Sequence, residues 1–486
     1  MPQPPLDGDR LTADQQQASE AFAQWLSSGD DRQPFVLSGF AGTGKTFLSM
    51  RFLAQVEAAG LCWTVVAPTH KAVGVLRRHL EWAQLSPTWY PSTIHRLLRL
   101  RLRRERDLER CEETEQTALA LEHLGLVLID EASMVDSSLL EISLRCAHPF
   151  RTRLVFVGDP AQLPPVGEPE SPVFQMQRSQ RAHLQEVVRH QGPVLRLATG
   201  LRNGALPCRR PPLLTTFRDH QGQVALLESA PWLEAAQEAL RRSVLTDNPD
   251  LARILCYTNR TLERLVPIAR RALHGEMADQ MPVLPGEVLI SRQAVMAPAC
   301  REGEEAAEEP DMVLGSNREL IVRDVTPERC DLADFGLSSV LDGPVPVIET
   351  LTAQVESGES QLSLRLLPPI GSGARESLDA VLLRLRNGAR EAGKQEGRAL
   401  WRRYFLVRDA FASLGPAAVL TVHRSQGSTF GEVFVAADVF WPKDEMLRRQ
   451  LVYVAVSRAS QAVTLSAHTG SPADRQLWQD WFQDAP

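Results

Sequence analysis

The stretch Pro34-Phe35-Val36-Leu37-Ser38-Gly39-Phe40-Ala41-Gly42-Thr43-Gly44-Lys45-Thr46 decides the fold. A short apolar run reads as a buried strand, a glycine-rich turn follows, and Phe47 to Ala58 has a helical pattern. The turn carries the phosphate-binding pattern GxxxxGKT. Gly39 and Gly44 let backbone amides turn inward around phosphates, Lys45 reaches the β- and γ-phosphates, and Thr46 offers a hydroxyl to Mg²⁺. A strand before and a helix after argue against a merely flexible glycine loop. By itself the stretch supports nucleoside-triphosphate binding and nothing narrower.

The pattern repeats outward. Thr64-Val65-Val66-Ala67, Leu126-Val127-Leu128-Ile129 and Leu154-Val155-Phe156-Val157 are further apolar runs. Continuous apolar strands separated by helices predict a parallel sheet covered on both faces. Each run ends in polar or glycine-rich residues: GFAGTGKT, PTHK, DEAS and GDPAQ. Ligands of open α/β sheets bind at such carboxyl ends. Asp130 is set to hold Mg²⁺ as a Walker-B acid does, and Glu131 to orient or deprotonate the attacking water. Seen alone, two such acids would suit a helix N-cap equally well. Gln162 in Gly158-Asp159-Pro160-Ala161-Gln162 stands just past a strand end, where it can sense a γ-phosphate.

A second series, 253–257, 417–422, 432–436 and 462–467, predicts a second α/β domain whose halves are separated in sequence. Between them, about 280–370, short alternating runs and Pro/Gly suggest a small β-rich insertion. Residues 376–412 then read helical. Leu98-Arg99-Leu100-Arg101-Leu102-Arg103 alternates with period two and reads as a strand, although Arg99, Arg103, Arg106 and Arg110 also share a helical face. Trp82, Trp89 and Tyr90 lie nearby, as core packing or as base-stacking platforms.

The chain has 486 residues, 43% hydrophobic and 23% charged, with net charge −7. That balance argues against retention on nucleic acid by overall basicity. It leaves room for a local basic channel, because charge is screened within roughly 8–10 Å. The acids of Glu302 to Asp311 read as a solvated loop. No run of about 18 apolar residues occurs, so no membrane span is expected. Seven dispersed cysteines fit a reducing cytoplasm and give no zinc pattern.

The ordered motifs GFAGTGKT, APTHKA, STIH, IDEASM, GDPAQLPPVG, TVHRSQGSTF and YVAVSRA resemble the superfamily 1B helicases, Dda-type and RecD-type in particular. The likeness runs from Leu11 to about Ala459, nearly the whole chain. It implies two RecA-like P-loop domains, with a β-hairpin insertion in the first and a small SH3-like β-barrel insertion in the second. The expected boundaries are 1–182 for the first domain, with the hairpin "pin" at about 97–122. The second domain is expected at 183–275 plus 405–486, and the SH3-like insertion with a trailing helix at 276–404.

The resemblance also implies residue roles. Gln15 would read the adenine. Gly39, Gly42, Thr43, Gly44, Lys45, Thr46 and Gly427 would line the nucleotide site, with Mg²⁺ on Thr46 and Asp130. Lys45, Asp130, Glu131, Gln162, Arg189 and the arginine finger Arg458 would be catalytic. Pro68, Thr69, His70, Thr93, His95, Thr258, Asn259, Thr421, His423 and Arg424 would contact the strand. The family commonly has Lys where this chain has Arg424, which keeps the charge and changes the geometry. The implied activity is ATP-dependent, 5′-to-3′ unwinding by a monomer acting on single-stranded, forked or tailed duplex DNA, with a single-strand-binding protein as a further partner. A translocase that remodels protein–DNA complexes, an RNA helicase and an inactive scaffold are the other readings. The intact catalytic set argues against the last.

Overall fold

The computed structural model describes residues 11–28, 33–105, 108–186, 192–296, 312–339, 343–358 and 360–483. Two compact units result: residues 1–263 with 420–486, and residues 264–419.

The first unit holds two six-stranded sheets. In the first sheet the order is Ser92–Thr93, Trp63–Ala67, Leu126–Ile129, Arg153–Gly158, Phe35–Gly39, Gln180–Leu184, and the neighbouring strands run parallel. The apolar runs are continuous because both faces are covered. Phe35, Leu37, Val65, Leu126, Leu128, Val155 and Val157 enter one core, while Val36, Val66, Val127, Ile129, Leu154 and Phe156 enter the other. The period-two geometry of a strand sends alternate side chains to opposite faces. In the first core Phe22 stacks on Phe52 at 4.0 Å and meets Phe35 edge-on at 5.3 Å. Truncating one such fully buried ring costs about 3–5 kcal/mol.

Gln180–Leu184 pairs in parallel with the P-loop strand, so the first sheet continues across the expected boundary at 182/183. After Thr93 the chain leaves the sheet through the short helix Ile94–Leu97, and Arg101–Glu105 pairs antiparallel with Leu108–Glu112.

The second sheet has the order Val419–Thr421, Ala252–Cys256, Phe430–Val435, Ala459–Ser466, Gly222–Leu227, Leu214–Asp219. Its central pairs are parallel and its Leu214–Asp219 edge is antiparallel. The helix Glu445–Ser457, N-capped by Asp444, leads into Ala459–Ser466.

In the second unit an antiparallel sheet runs Ser360–Arg365, Val347–Ser357, Glu319–Asp331, Val288–Ser291, Leu414–Pro416. Helices Gly373–Glu391 and Lys394–Asp409 add Leu378, Val381, Leu385 and Val407 to a core with Leu332 and Ile348. Buried Arg270 grips Glu287 with two bonds of 2.7 and 3.1 Å. The unit therefore begins inside the helix Asn259–His274, earlier than the expected 276, and ends at Val419.

Candidate nucleotide and nucleic-acid site

The phosphate loop forms because its sequence can. Gly42 and Gly44 stand at φ 83° and 81°, where a side chain would be strained. Gly39 does a different job from the inward turn expected of it. A Cβ there would lie 2.8 Å from Thr43 Oγ1 and 3.0 Å from Leu184 Cβ, so its contribution is close packing against the edge strand. The helix begins at Lys45, two residues earlier than the sequence suggests, with Gly44 as an N-cap that offers no side chain. Its first N–H groups are thus left to an anion, with the positive end of the helix dipole behind them. Lys45 Nζ donates to the carbonyls of Gly39 and Phe40 at 2.8 and 2.9 Å. Gln15 Nε2 donates to Thr43 O at 3.0 Å, and Gln15 Oε1 accepts from Thr12 N, so this glutamine braces the loop from within the protein.

Asp130 and Glu131 follow the strand Leu126–Ile129. Burial, then the neighbouring Glu131 carboxylate, push the Asp130 carboxyl above its ordinary range, while Lys45 pulls it back. Cationic Lys45 and a carboxylate disfavoured as an anion make a place where a divalent ion would be welcome. Glu131 itself adopts φ 53°, a left-handed conformation that costs a non-glycine residue about 1–2 kcal/mol. Gln162 is buried, and its Oε1 has no hydrogen-bond partner among the described residues. An orphaned acceptor just past the strand Arg153–Gly158, with Lys45 and Thr46 at the start of the helix, fits a hydrated Mg²⁺–nucleotide.

Residues of two helices that pack on the second sheet, Pro193–Arg202 and Glu445–Ser457, reach this loop directly. Tyr453, on Glu445–Ser457, accepts from Ala41 N–H at 2.9 Å and donates to Asp159 Oδ2 at 2.6 Å. Burial, then the Asp159 carboxylate, push the Tyr453 phenol well above the ordinary tyrosine range, so it remains a donor. Arg202 sits 3.5 Å over the Phe40 ring, and His183 meets that ring edge-on at 5.3 Å. Further from the loop, Gln426 Nε2 donates to Leu163 O at 3.2 Å. Gly427, expected beside the nucleotide, approaches the helix His70–Ala83 instead. A Cβ there would meet Ala72 Cβ at 3.1 Å and Thr69 Oγ1 at 3.2 Å, and its φ is 71°.

The expected strand contacts share a geometry. Thr69, Thr93 and Thr258 each accept a backbone N–H three residues ahead, from Ala72, Arg96 and Thr261. Thr421 does the same for Arg424 at 3.4 Å. Each bond satisfies an amide at the start of a helix or turn; Thr69 and Thr258 are half-buried, and Thr93 and Thr421 are buried. Burial holds His95 below the usual histidine pKa despite Asp136. Pro68, His70, Asn259 and His423 stand beside these turns in sequence. Tyr90 is 75% exposed with Arg77 stacked on it at 4.1 Å, whereas Trp89 packs against the core.

Arg458 is buried, with bonds to Val454 O, Ser428 O and Ser457 Oγ at 3.3, 3.2 and 3.0 Å, and no described contact reaches the phosphate loop. Arg189 lies outside the described residues. The chain just before it is anchored by Asp14, whose Oδ2 accepts from Gln185 N and Glu186 N at 2.7 and 2.8 Å. Those bonds, the Glu186 amide first, lower the Asp14 carboxyl's pKa. Tyr453, Asp159, Asp14 and Arg202 are positions that motif reading passed over. Tyr453 and Asp159 lie inside quoted motifs, which was the available signal.

Two family models match the chain: an AAA domain over residues 10–225 and a UvrD-like helicase C-terminal domain over 416–466. The ATP-dependent DNA helicase dda of Enterobacteria phage T4 is 24% identical over 460 residues, covering 93% of this chain and 98% of that one. The ATP-dependent RecD2 DNA helicase of Deinococcus radiodurans is 32% identical over 193 residues, 39% of this chain and 24% of that one. Pif1 of Bacteroides bound to single-stranded DNA superposes with a TM-score of 0.45 at 15% identity, over 97% of this chain and 94% of that one. The two models cover opposite ends of the unit that holds both sheets, and a full-length relative aligns across both, which supports a superfamily 1B helicase.

Proposed function

We propose that this chain is an ATP-dependent DNA helicase that moves 5′-to-3′ along single-stranded DNA and couples hydrolysis between its two six-stranded sheets to duplex separation. The observation that carries this reading is the grip on the phosphate loop by helices that pack on the second sheet, through Tyr453 on Ala41 and Arg202 on Phe40. A loop touched by both walls ties nucleotide state to the relation between those walls. In a motor, that relation is what advances the strand.

The loop amides and Lys45 hold the β- and γ-phosphates of the substrate ATP. Thr46 and Asp130 would hold Mg²⁺, which would neutralise charge on those phosphates. Glu131 and Gln162 orient the attacking water. Arg458 supports the arginine-finger role in an indirect way: a buried guanidinium bonded only to neutral oxygens is costly until an anion faces it. Arg189 would be the second such cation. Strand phosphates are taken by Thr69, Thr93, His95, Thr421, Arg424 and the start of Asn259–His274, with Pro68, His70 and His423 beside them. Opening a base-pair step costs about 1.4 kcal/mol, so unwinding must draw on ATP. The paired strands Arg101–Glu105 and Leu108–Glu112 are the wedge, and the antiparallel sheet of the second unit is the SH3-like insertion. Direction is inherited from the family resemblance, and DNA as the strand from the dda and RecD2 names.

The test is unwinding of duplexes with a 5′ or a 3′ single-stranded tail, beside ATPase stimulated by DNA or RNA. Opening of only the 5′-tailed duplex, with DNA the stronger stimulant, is expected, and Lys45→Ala should abolish both activities. Preference for the 3′ tail overturns the direction. RNA as the stronger stimulant overturns the substrate.

A further inference from the structure

We propose that Tyr453 is a positioning residue for ATP hydrolysis, its single hydroxyl binding the phosphate loop, the Gln162 turn and the helix ahead of Arg458 into one hydrogen-bonded unit. The proposal rests on the ATPase reading above and assigns a role that reading does not contain.

The direction of each bond is fixed by chemistry. A backbone amide can only donate, so the phenol oxygen accepts from Ala41 N–H. An ionised carboxylate can only accept, so the phenol hydrogen goes to Asp159 Oδ2. Both bonds are used at once, and Tyr453 is 1% exposed and Asp159 0%, so water has no room to replace either partner. Asp159 passes the constraint on. Its Oδ1 accepts from Ala161 N at 2.9 Å, and its main-chain oxygen accepts from Gln162 N at 3.1 Å. At the other end, Tyr453 lies one helical turn and a residue before Arg458, the C-cap of the same helix. A core tyrosine serving packing alone would need one acceptor. This one bonds residues 412 and 294 positions away in sequence, both just past strands of the first sheet and one of them in the nucleotide loop. Arg202 over Phe40 reinforces the same contact from the second sheet's side.

The direct test uses full-length Tyr453→Phe, which keeps ring volume and removes only the oxygen. The kcat of ATPase on saturating single-stranded DNA is expected to fall about tenfold or more, the loss of a hydrogen bond to a charged group at the rate-setting geometry. KM for ATP and the affinity for a fluorescent ATP analogue should stay within about threefold, because the hydroxyl is not assigned to the nucleotide. Asp159→Asn approaches the contact from its other partner, and serves if Tyr453→Phe folds poorly. If both act through one bond, the double variant should be no slower than the slower single variant within about twofold. A kcat within twofold of wild type, a loss matched by equal loss of nucleotide affinity, or multiplicative effects in the double variant would each overturn the assignment. Wild type and Lys45→Ala run alongside separate the two levels. A wild type without DNA-stimulated ATPase removes the helicase reading and this one with it. A stimulated wild type that Tyr453→Phe matches removes only the tyrosine's role.

Discussion

Asp438 offers a perturbation whose size can be worked from the structure. It is 1% exposed, on the turn Ala437–Phe440 just after the strand Phe430–Val435. Its Oδ1 accepts from Tyr257 N at 3.1 Å, and its Oδ2 from Thr258 N and Thr258 Oγ1 at 2.9 Å each. The carboxylate thus fixes the end of Ala252–Cys256 and the start of the helix from Asn259, an expected strand contact. Asp438→Ala takes the acceptor from two half-buried amides and from the Thr258 hydroxyl, which keeps Thr261 Oγ1 as a partner at 3.0 Å. A hydrogen bond to a charged group contributes about 1.5–3 kcal/mol, and partial rehydration of the cavity recovers some of it. A net loss of about 3–5 kcal/mol follows, because three bonds to one group do not add independently. At roughly 2 °C per kcal/mol for a large unit, the first melting transition should fall by about 6–10 °C. Asp438→Asn keeps the shape and one acceptor but turns an NH₂ toward a donor, so about half that loss is expected. Differential scanning calorimetry reads the stability. Fluorescence anisotropy of labelled single-stranded DNA, at a temperature where all variants are folded, should show about tenfold weaker binding for Asp438→Ala, the equivalent of about 1.4 kcal/mol. A transition within about 2 °C of wild type, with unchanged DNA affinity, would refute the clamp.

Arg458→Ala should leave ATP affinity within about threefold while hydrolysis falls by about 10³ or more. Because the guanidinium also holds Ser428 O and Val454 O, Arg458→Lys should be nearly as slow, and a lysine variant with normal turnover would refute that geometry. Replacing residues 101–112 with a short Gly-Ser turn should abolish unwinding of a tailed duplex while DNA-stimulated ATPase and translocation persist. Equal loss of all three would refute the wedge.

The parts legible in the sequence are those whose chemistry is local. The P-loop works through residues within one turn of chain, and the Asp130-Glu131 pair follows an apolar run that reads as a strand because two cores claim its alternate residues. Gln180–Leu184 escaped because it is an edge strand. Residues 180, 181 and 183 are exposed, so no apolar run marks it, and the expected boundary fell inside it. Glu131's left-handed backbone carries no sequence signal either, since glycine is the usual marker and a carboxylate stands there. The deeper limit lies with Tyr453. In Leu451-Val452-Tyr453-Val454-Ala455-Val456 every side chain is buried, and a tyrosine among them reads as filler. Its partners are hundreds of residues distant, and only the folded chain brings a lone phenol between an amide and a carboxylate. Composition reports that a polar atom is buried in such a helix, and burial requires that it be bonded. What it bonds to is where function enters, and here both partners belong to the opposite sheet and one of them to the phosphate loop.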